Sequence, residues 1–243
     1  MKRATTVMRS VIVRAAVITL IVFLTVSSPK TANADFLING GFEQPGGLTS
    51  DIDFLAGDTS IVGWRIVSGS VDIVPSTGSW PAYQGNQSLD LDGHSAGTIS
   101  QSFTTTAGMT YQLSFAYANN PGGGAAFAGD DPGNPVRTAT VSVLDASAST
   151  LLSQDIGHEG STAADMNWTI FTDSFTADSA TTTLVFTSTD PATSYGGIAL
   201  DAVSVQPVPE PSSLALIVTG LAPLAAYFGW RRWKPATSRS TSI

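Results

Sequence analysis

The clearest pattern in this chain is a two-residue alternation. In Tyr111-Gln112-Leu113-Ser114-Phe115-Ala116-Tyr117 an apolar side chain recurs at every second position, the period of a half-buried β-strand. Val141-Ser142-Val143 and Leu184-Val185-Phe186 are shorter versions. Bounded by turn-forming residues, segments 61–64, 70–74, 88–91, 98–103, 110–118, 138–144, 168–175, 181–187 and 199–205 all read as strands. Between residues 35 and 206 no stretch carries a convincing helical period. Eight or nine short, closely spaced strands predict an all-β fold, an antiparallel β-sandwich of jelly-roll type. Residues 119–135, rich in Gly and Pro, read as a long loop inserted at the sandwich rim.

The two ends have a different pattern. Lys2, Arg3, Arg9 and Arg14 precede an apolar stretch from Ala15 to Val26, and Ala32-Asn33-Ala34 supplies a small-x-small cleavage pattern. Residues 1–34 therefore read as a signal peptide, with a mature start at Asp35. Near the other end, Val208-Pro209-Glu210-Pro211 leads into 17 largely apolar residues, Leu214 to Trp230, and then Arg231, Arg232, Trp233 and Lys234. A span of about 17–25 apolar residues suffices to cross a bilayer as a helix, and the basic cluster behind it belongs on the cytoplasmic side.

The ordered arrangement of Pro-Glu-Pro, apolar span and Arg-Arg resembles the PEP-CTERM sorting signal of bacterial secreted proteins. That resemblance implies an exosortase-type transpeptidase as partner, cutting near Pro209-Glu210-Pro211, with transient membrane anchoring by the C-terminal helix. The expected domains are then 1–34, 35–206 and 207–243, and the expected location is the cell envelope or extracellular matrix. Prolines 207, 209 and 211 suit a cleavage site, because they disfavour helix and keep the backbone extended.

Removing both ends changes the charge picture. Residues 35–206 hold eighteen of the nineteen carboxylates but two of the eleven Lys and Arg, Arg65 and Arg137, a formal charge of −16 where the whole chain has −8. Such a domain lacks the clustered cations that bind nucleic acid. Its charge suits divalent cations, neutral polysaccharide or plain solubility. There are no cysteines and two histidines, so thiol catalysis, thiolate metal sites and a multi-histidine zinc site are excluded.

A second resemblance rests on Asn39-Gly40-Gly41-Phe42-Glu43, Gly63-Trp64, Gly69-Ser70-Val71-Asp72, Trp80, Gly85, Ser88-Leu89-Asp90-Leu91-Asp92-Gly93, Ile99-Ser100-Gln101-Ser102-Phe103 and the closing Gly197-Ile198-Ala199-Leu200-Asp201-Ala202-Val203-Ser204-Val205. These look like the choice-of-anchor C family, related to the DUF642 proteins, with Ala202 where Asn is usual. The resemblance implies a galactose-binding-like β-sandwich. It also implies that Glu43 and Asp201, on the first and last strands, meet. There they form either a structural calcium site with backbone carbonyls, Ca²⁺ wanting ~6–8 oxygens, or a pair of capped carboxylates.

Other candidates come from residue type alone. Asp90 and Asp92 share a strand face, either as an acid–base pair of a glycan hydrolase or as a solvated face leading into the Asp92-Gly93 turn. His94 and His158 read as exposed loop residues. No Gly-x-Ser-x-Gly elbow or phosphate loop is present. Of the aromatic residues that suit a sugar ring, Trp64 and Trp168 read as core, Tyr195 is a further candidate, and Trp80 and Tyr83, flanking Pro81, are the expected exposed pair. The function expected is a non-catalytic envelope or matrix protein binding cell-surface or exopolysaccharide glycan. A glycan hydrolase and a purely structural matrix component are the alternatives.

Overall fold

The computed structural model describes residues 35–122 and 136–208. The signal segment, most of the 119–135 loop, and Pro209, Glu210, Pro211, Arg231 and Arg232 of the sorting signal lie outside them. Among the described residues no helix is long and apolar enough to cross a membrane.

Those residues form eleven strands and no helix: β1 Ile52–Leu55, β2 Arg65–Ser68, β3 Ser70–Pro75, β4 Gln87–Asp90, β5 Thr98–Thr104, β6 Thr110–Asn119, β7 Arg137–Leu144, β8 Thr150–His158, β9 Thr169–Thr176, β10 Thr181–Ser188 and β11 Ile198–Pro207. They make two antiparallel sheets, of order β1-β3-β4-β11-β6-β9 and β2-β5-β10-β7-β8. The alternation decides which face is buried. Val71 and Ile73 of β3, Leu89 of β4, Leu113 and Phe115 of β6 and Leu200 of β11 meet Ile99 of β5, Val141 and Val143 of β7, and Leu184 and Phe186 of β10 in one core. Phe115 and Phe186 join the sheets edge to face at 5.0 Å, and Trp64 stands between Phe186 and Phe42.

Three segments differ from the expected strands. The strand expected at 61–64 lies instead at Arg65–Ser68. Ile61 and Trp64 are buried in a turn closed by the Trp64 N–H on the Ile61 carbonyl, which Gly63 permits with φ +84°. β1 and β8 were not expected. Both lie at sheet edges, and with one or two buried side chains each they carry no periodic signal.

The opening Asn-Gly-Gly-Phe-Glu motif docks on the last strand. β11 shifts register between Asp201 and Ser204. At this irregularity the Val203 N–H donates to the Gly40 carbonyl, so close that any side chain at 40 would collide with the Val203 carbonyl oxygen. Phe42 is then fully buried, which carries Glu43 towards Asp201.

The face of the six-stranded sheet away from the core is also partly roofed. Val74, Ala118 and Ala199 on that face pack against Trp80 and Met166, with Trp168 beside them, as a second small apolar cluster. The cleft described next opens beside this roof.

Candidate functional site

Glu43 and Asp201 lie around the loop 83–87, Asp201 on the last strand but Glu43 in the irregular segment before β1 and not on the first strand as expected. Glu43 Oε1 accepts the Asn86 and Gln87 N–H groups at 2.7 and 3.2 Å. Asp201 Oδ2 accepts the Gln84 N–H at 2.8 Å and its Oδ1 the Ala202 N–H at 2.6 Å. Gly41 lies against both side chains. Burial pushes the Asp201 carboxyl up to about 7, opposed by these N–H donors. The pair is thus a staple fastening one loop to both chain ends of the domain. Two hard carboxylates side by side fit Ca²⁺ in donor chemistry. Among the described residues no third acid or histidine joins them, so an ion here would take its remaining ligands from main-chain carbonyls.

The larger feature is a row of aspartates across the outer face. The register sets Asp53 of β1 opposite Asp72 of β3, Asp72 opposite Asp90 of β4, and Asp90 opposite Ala199 of β11. Like charges so placed repel, with Cβ atoms about 4.5–5.5 Å apart. Burial, then the Asp53 charge, pushes Asp72 up to about 7. Oδ1 of Asp53 and of Asp72 are both sealed from solvent with no donor, and both lie against Gly93. Each carboxyl thus leaves one buried oxygen without a donor, which adds to the cost of holding charge at this pair.

Asp90 is held differently. It is 1 % exposed, and three donors hold it: the Asp92 N–H at 3.1 Å and the Gly197 N–H at 3.0 Å on Oδ1, and Asn120 Nδ2 at 2.5 Å on Oδ2. Burial, with Asp92 and Asp72 nearby, raises its carboxyl well above the usual range.

Above this row lies a cleft of about 390 Å³. Asp72, Val74 and Asp90 come from the strands beneath it, and Asp51, Ser79, Trp80, Asn120 and Tyr195 are among its other lining residues. Asn120 ties the Asn120–Gly122 wall to the floor through Asp90 and through its N–H on the Gly197 carbonyl.

The remaining expectations divide. Tyr83 is 48 % exposed, but Trp80 is 4 % exposed and donates from Nε1 to Ser88 Oγ at 3.1 Å. Trp80 is part of the roof, because the loop around Pro81 folds back over Val74 and Ala199. Trp64 is core, whereas Trp168 is half-buried, its ring 6.2 Å from Tyr83. His94 is exposed, with Nδ1 3.2 Å from Asp53 Oδ2. His158 is not an exposed loop residue. It ends β8, buried, with Nδ1 beside Asn119 and Nε2 on the Asn167 carbonyl. Asp90 and Asp92 do not form a solvated face; both are buried. Asp92 lies just past β4, and its carboxyl is raised to about 6, chiefly by burial. Tyr195 proved to be a cleft residue; Asp51, Asp53 and Asn120 were not singled out from the sequence, and Asp72 stood there only as part of a family motif.

A two-sheet β-sandwich with an acidic cleft on one outer face defines the class. Residues 35–206 match the family described as "Protein of unknown function (DUF642)", and the chain belongs to it. Residues 207–232 match the PEP-CTERM protein-sorting motif, which marks an exported, exosortase-processed surface protein. Halomucin of Haloquadratum walsbyi is 31 % identical over 210 residues, which cover 83 % of this chain but 2 % of that protein. Among solved structures, TmCBM61 in complex with β-1,4-galactotriose aligns with TM-score 0.48 and 18 % identity, over 72 % of this chain and 99 % of its own. The CBM22-1 xylan-binding domain of Paenibacillus barcinonensis Xyn10C aligns with TM-score 0.40 and 20 % identity, over 66 % and 94 %.

Proposed function

We propose that this is a non-catalytic glycan-binding domain, displayed at the cell envelope or in the extracellular matrix after exosortase processing, and that the cleft over Asp72 and Asp90 holds the sugar. The cleft is the observation that carries the reading. It combines the Tyr195 ring with carboxyl, amide and hydroxyl groups within one concavity, and sugar sites need an aromatic surface and a few fixed polar groups. Glu43 and Asp201 hold a structural Ca²⁺ in this reading. The ion would secure the loop 83–87 and take no part in contacting sugar.

Incubating the protein with a glycan array, and assaying the supernatant for reducing sugar, tests the proposal. Retention without product is expected. Released sugar would instead favour hydrolysis, and the opposition of Asp72 and Asp90 is the observation for that second reading, since retaining glycosidases place two carboxyls about 5–5.5 Å apart. It ranks second because both Asp90 oxygens already accept hydrogen bonds and the side chain is buried. A silent array would leave a purely structural matrix role.

A further inference from the structure

We infer that the cleft takes an uncharged glycan and excludes the same glycan carrying carboxylate or sulfate groups; this rests on the glycan-binding reading above. Among the described residues the ionisable side chains on the cleft wall are Asp51, Asp72, Asp90 and the Tyr195 phenol. Asp53 stands behind Asp72, and Asp92 follows Asp90. His94 faces the row from the segment before β5, where its Nδ1 is engaged with Asp53. Between residues 35 and 206 the chain has two basic residues besides the histidines, Arg65 and Arg137. Arg65 lies on β2 and Arg137 on β7, both in the other sheet. Arg137 is buried there, with Nη1 on Ser194 Oγ at 3.3 Å.

Proteins hold carboxylates and sulfates with guanidinium forks, ammonium groups or helix N-termini. Among the described residues lining the cleft there is neither Lys, Arg nor a helix. A hydroxyl group, by contrast, donates to a carboxylate without adding charge. An anionic sugar would bring a further negative group to a cleft whose wall already carries Asp51, Asp72 and Asp90, where water screens less than in bulk. Asp72 is the residue through which this acts, since it lies at the floor with an acid opposite it on each side.

Matched polymers test the inference: β-1,4-galactan, β-mannan and β-glucan, each neutral and each oxidised at C6 to the uronate. Affinity electrophoresis of the protein should show at least one neutral polymer retained, and its oxidised form bound at least tenfold more weakly. Raising the salt concentration should narrow that gap, because the penalty is electrostatic. Asp51→Asn, at an exposed position, and Asp72→Asn should each strengthen binding of the oxidised form. The salt series stands even where Asp72→Asn does not fold. Equal or stronger retention of the oxidised form would overturn the inference and leave the glycan-binding reading intact. Retention of none of the three neutral polymers would overturn both.

Discussion

Asp72 of β3 stands directly opposite Asp90 of β4 on the outer face of the six-stranded sheet. Asp90 is held by three donors, whereas Asp72 faces a further aspartate, Asp53, with the Oδ1 of each buried and without a donor. The register therefore concentrates acid at one place in a domain whose formal charge is already −16, and that place is the floor of the cleft.

Acid should stabilise this protein. Asp72 and Asp201 are raised from 3.8 to about 7, and Asp92 to about 6. A raised carboxyl binds more protons in the folded than in the unfolded chain, so stability falls as pH climbs through the window from 3.8 to about 7. Thermal unfolding in EDTA should show a Tm several degrees higher at pH 5 than at pH 8, at ~2–4 °C per kcal/mol for a domain of this size. A flat profile would contradict the raised carboxyls of Asp72, Asp92 and Asp201.

At Asp90 the hydrogen bonds should matter more than the charge. Asp90→Ala strands the Asp92 and Gly197 N–H groups and Asn120 Nδ2. Each unsatisfied buried donor costs about 1–3 kcal/mol, so unfolding in urea should shift by several kcal/mol. Asp90→Asn keeps an acceptor oxygen and removes a neighbour of Asp72. It should cost far less and steepen no pH dependence. Equal losses for the two variants would contradict the assignment.

Trp80 and Tyr83 should separate. Trp80→Ala empties the roof over Val74 and Ala199 and should cost about 3–5 kcal/mol. Tyr83→Ala removes a half-exposed ring and should leave stability within about 0.5 kcal/mol. Differential scanning calorimetry of both variants decides this; matching losses would place Tyr83 in the roof as well.

Calcium should act through Glu43 and Asp201. Titrating Ca²⁺ into chelator-treated protein should raise Tm at pH 8, and Glu43→Gln should abolish the rise. It should also weaken the gain on acidification, because an ion beside Asp201 favours its ionised form. Isothermal titration without heat, and a Tm indifferent to EDTA, would leave the pair as a purely hydrogen-bonded staple.

Much of the sandwich is legible in the sequence because its central strands alternate strictly, as β6 and β10 do. The edge strands β1 and β8 are not, since β8 presents mostly exposed residues and β1 buries Phe54 alone. The Glu43–Asp201 pairing follows from family resemblance, because its two members are distant in the chain and no local pattern links them. The aspartate row was illegible. Asp53, Asp72 and Asp90 belong to three strands, and a one-residue slip in either register would send them to different faces. Trp80 was misplaced for a similar reason: a Pro-flanked aromatic looks like a loop tip, and its burial depends on where that loop lands.

The most direct test of the central claim compares retention of the protein and of its Tyr195→Ala variant on whichever neutral polysaccharide binds, with circular dichroism to confirm that both are folded. Retention without released reducing sugar, weakened at least tenfold by Tyr195→Ala, is the expected result. Retention that survives the loss of Tyr195 unchanged would contradict a sugar site in the cleft.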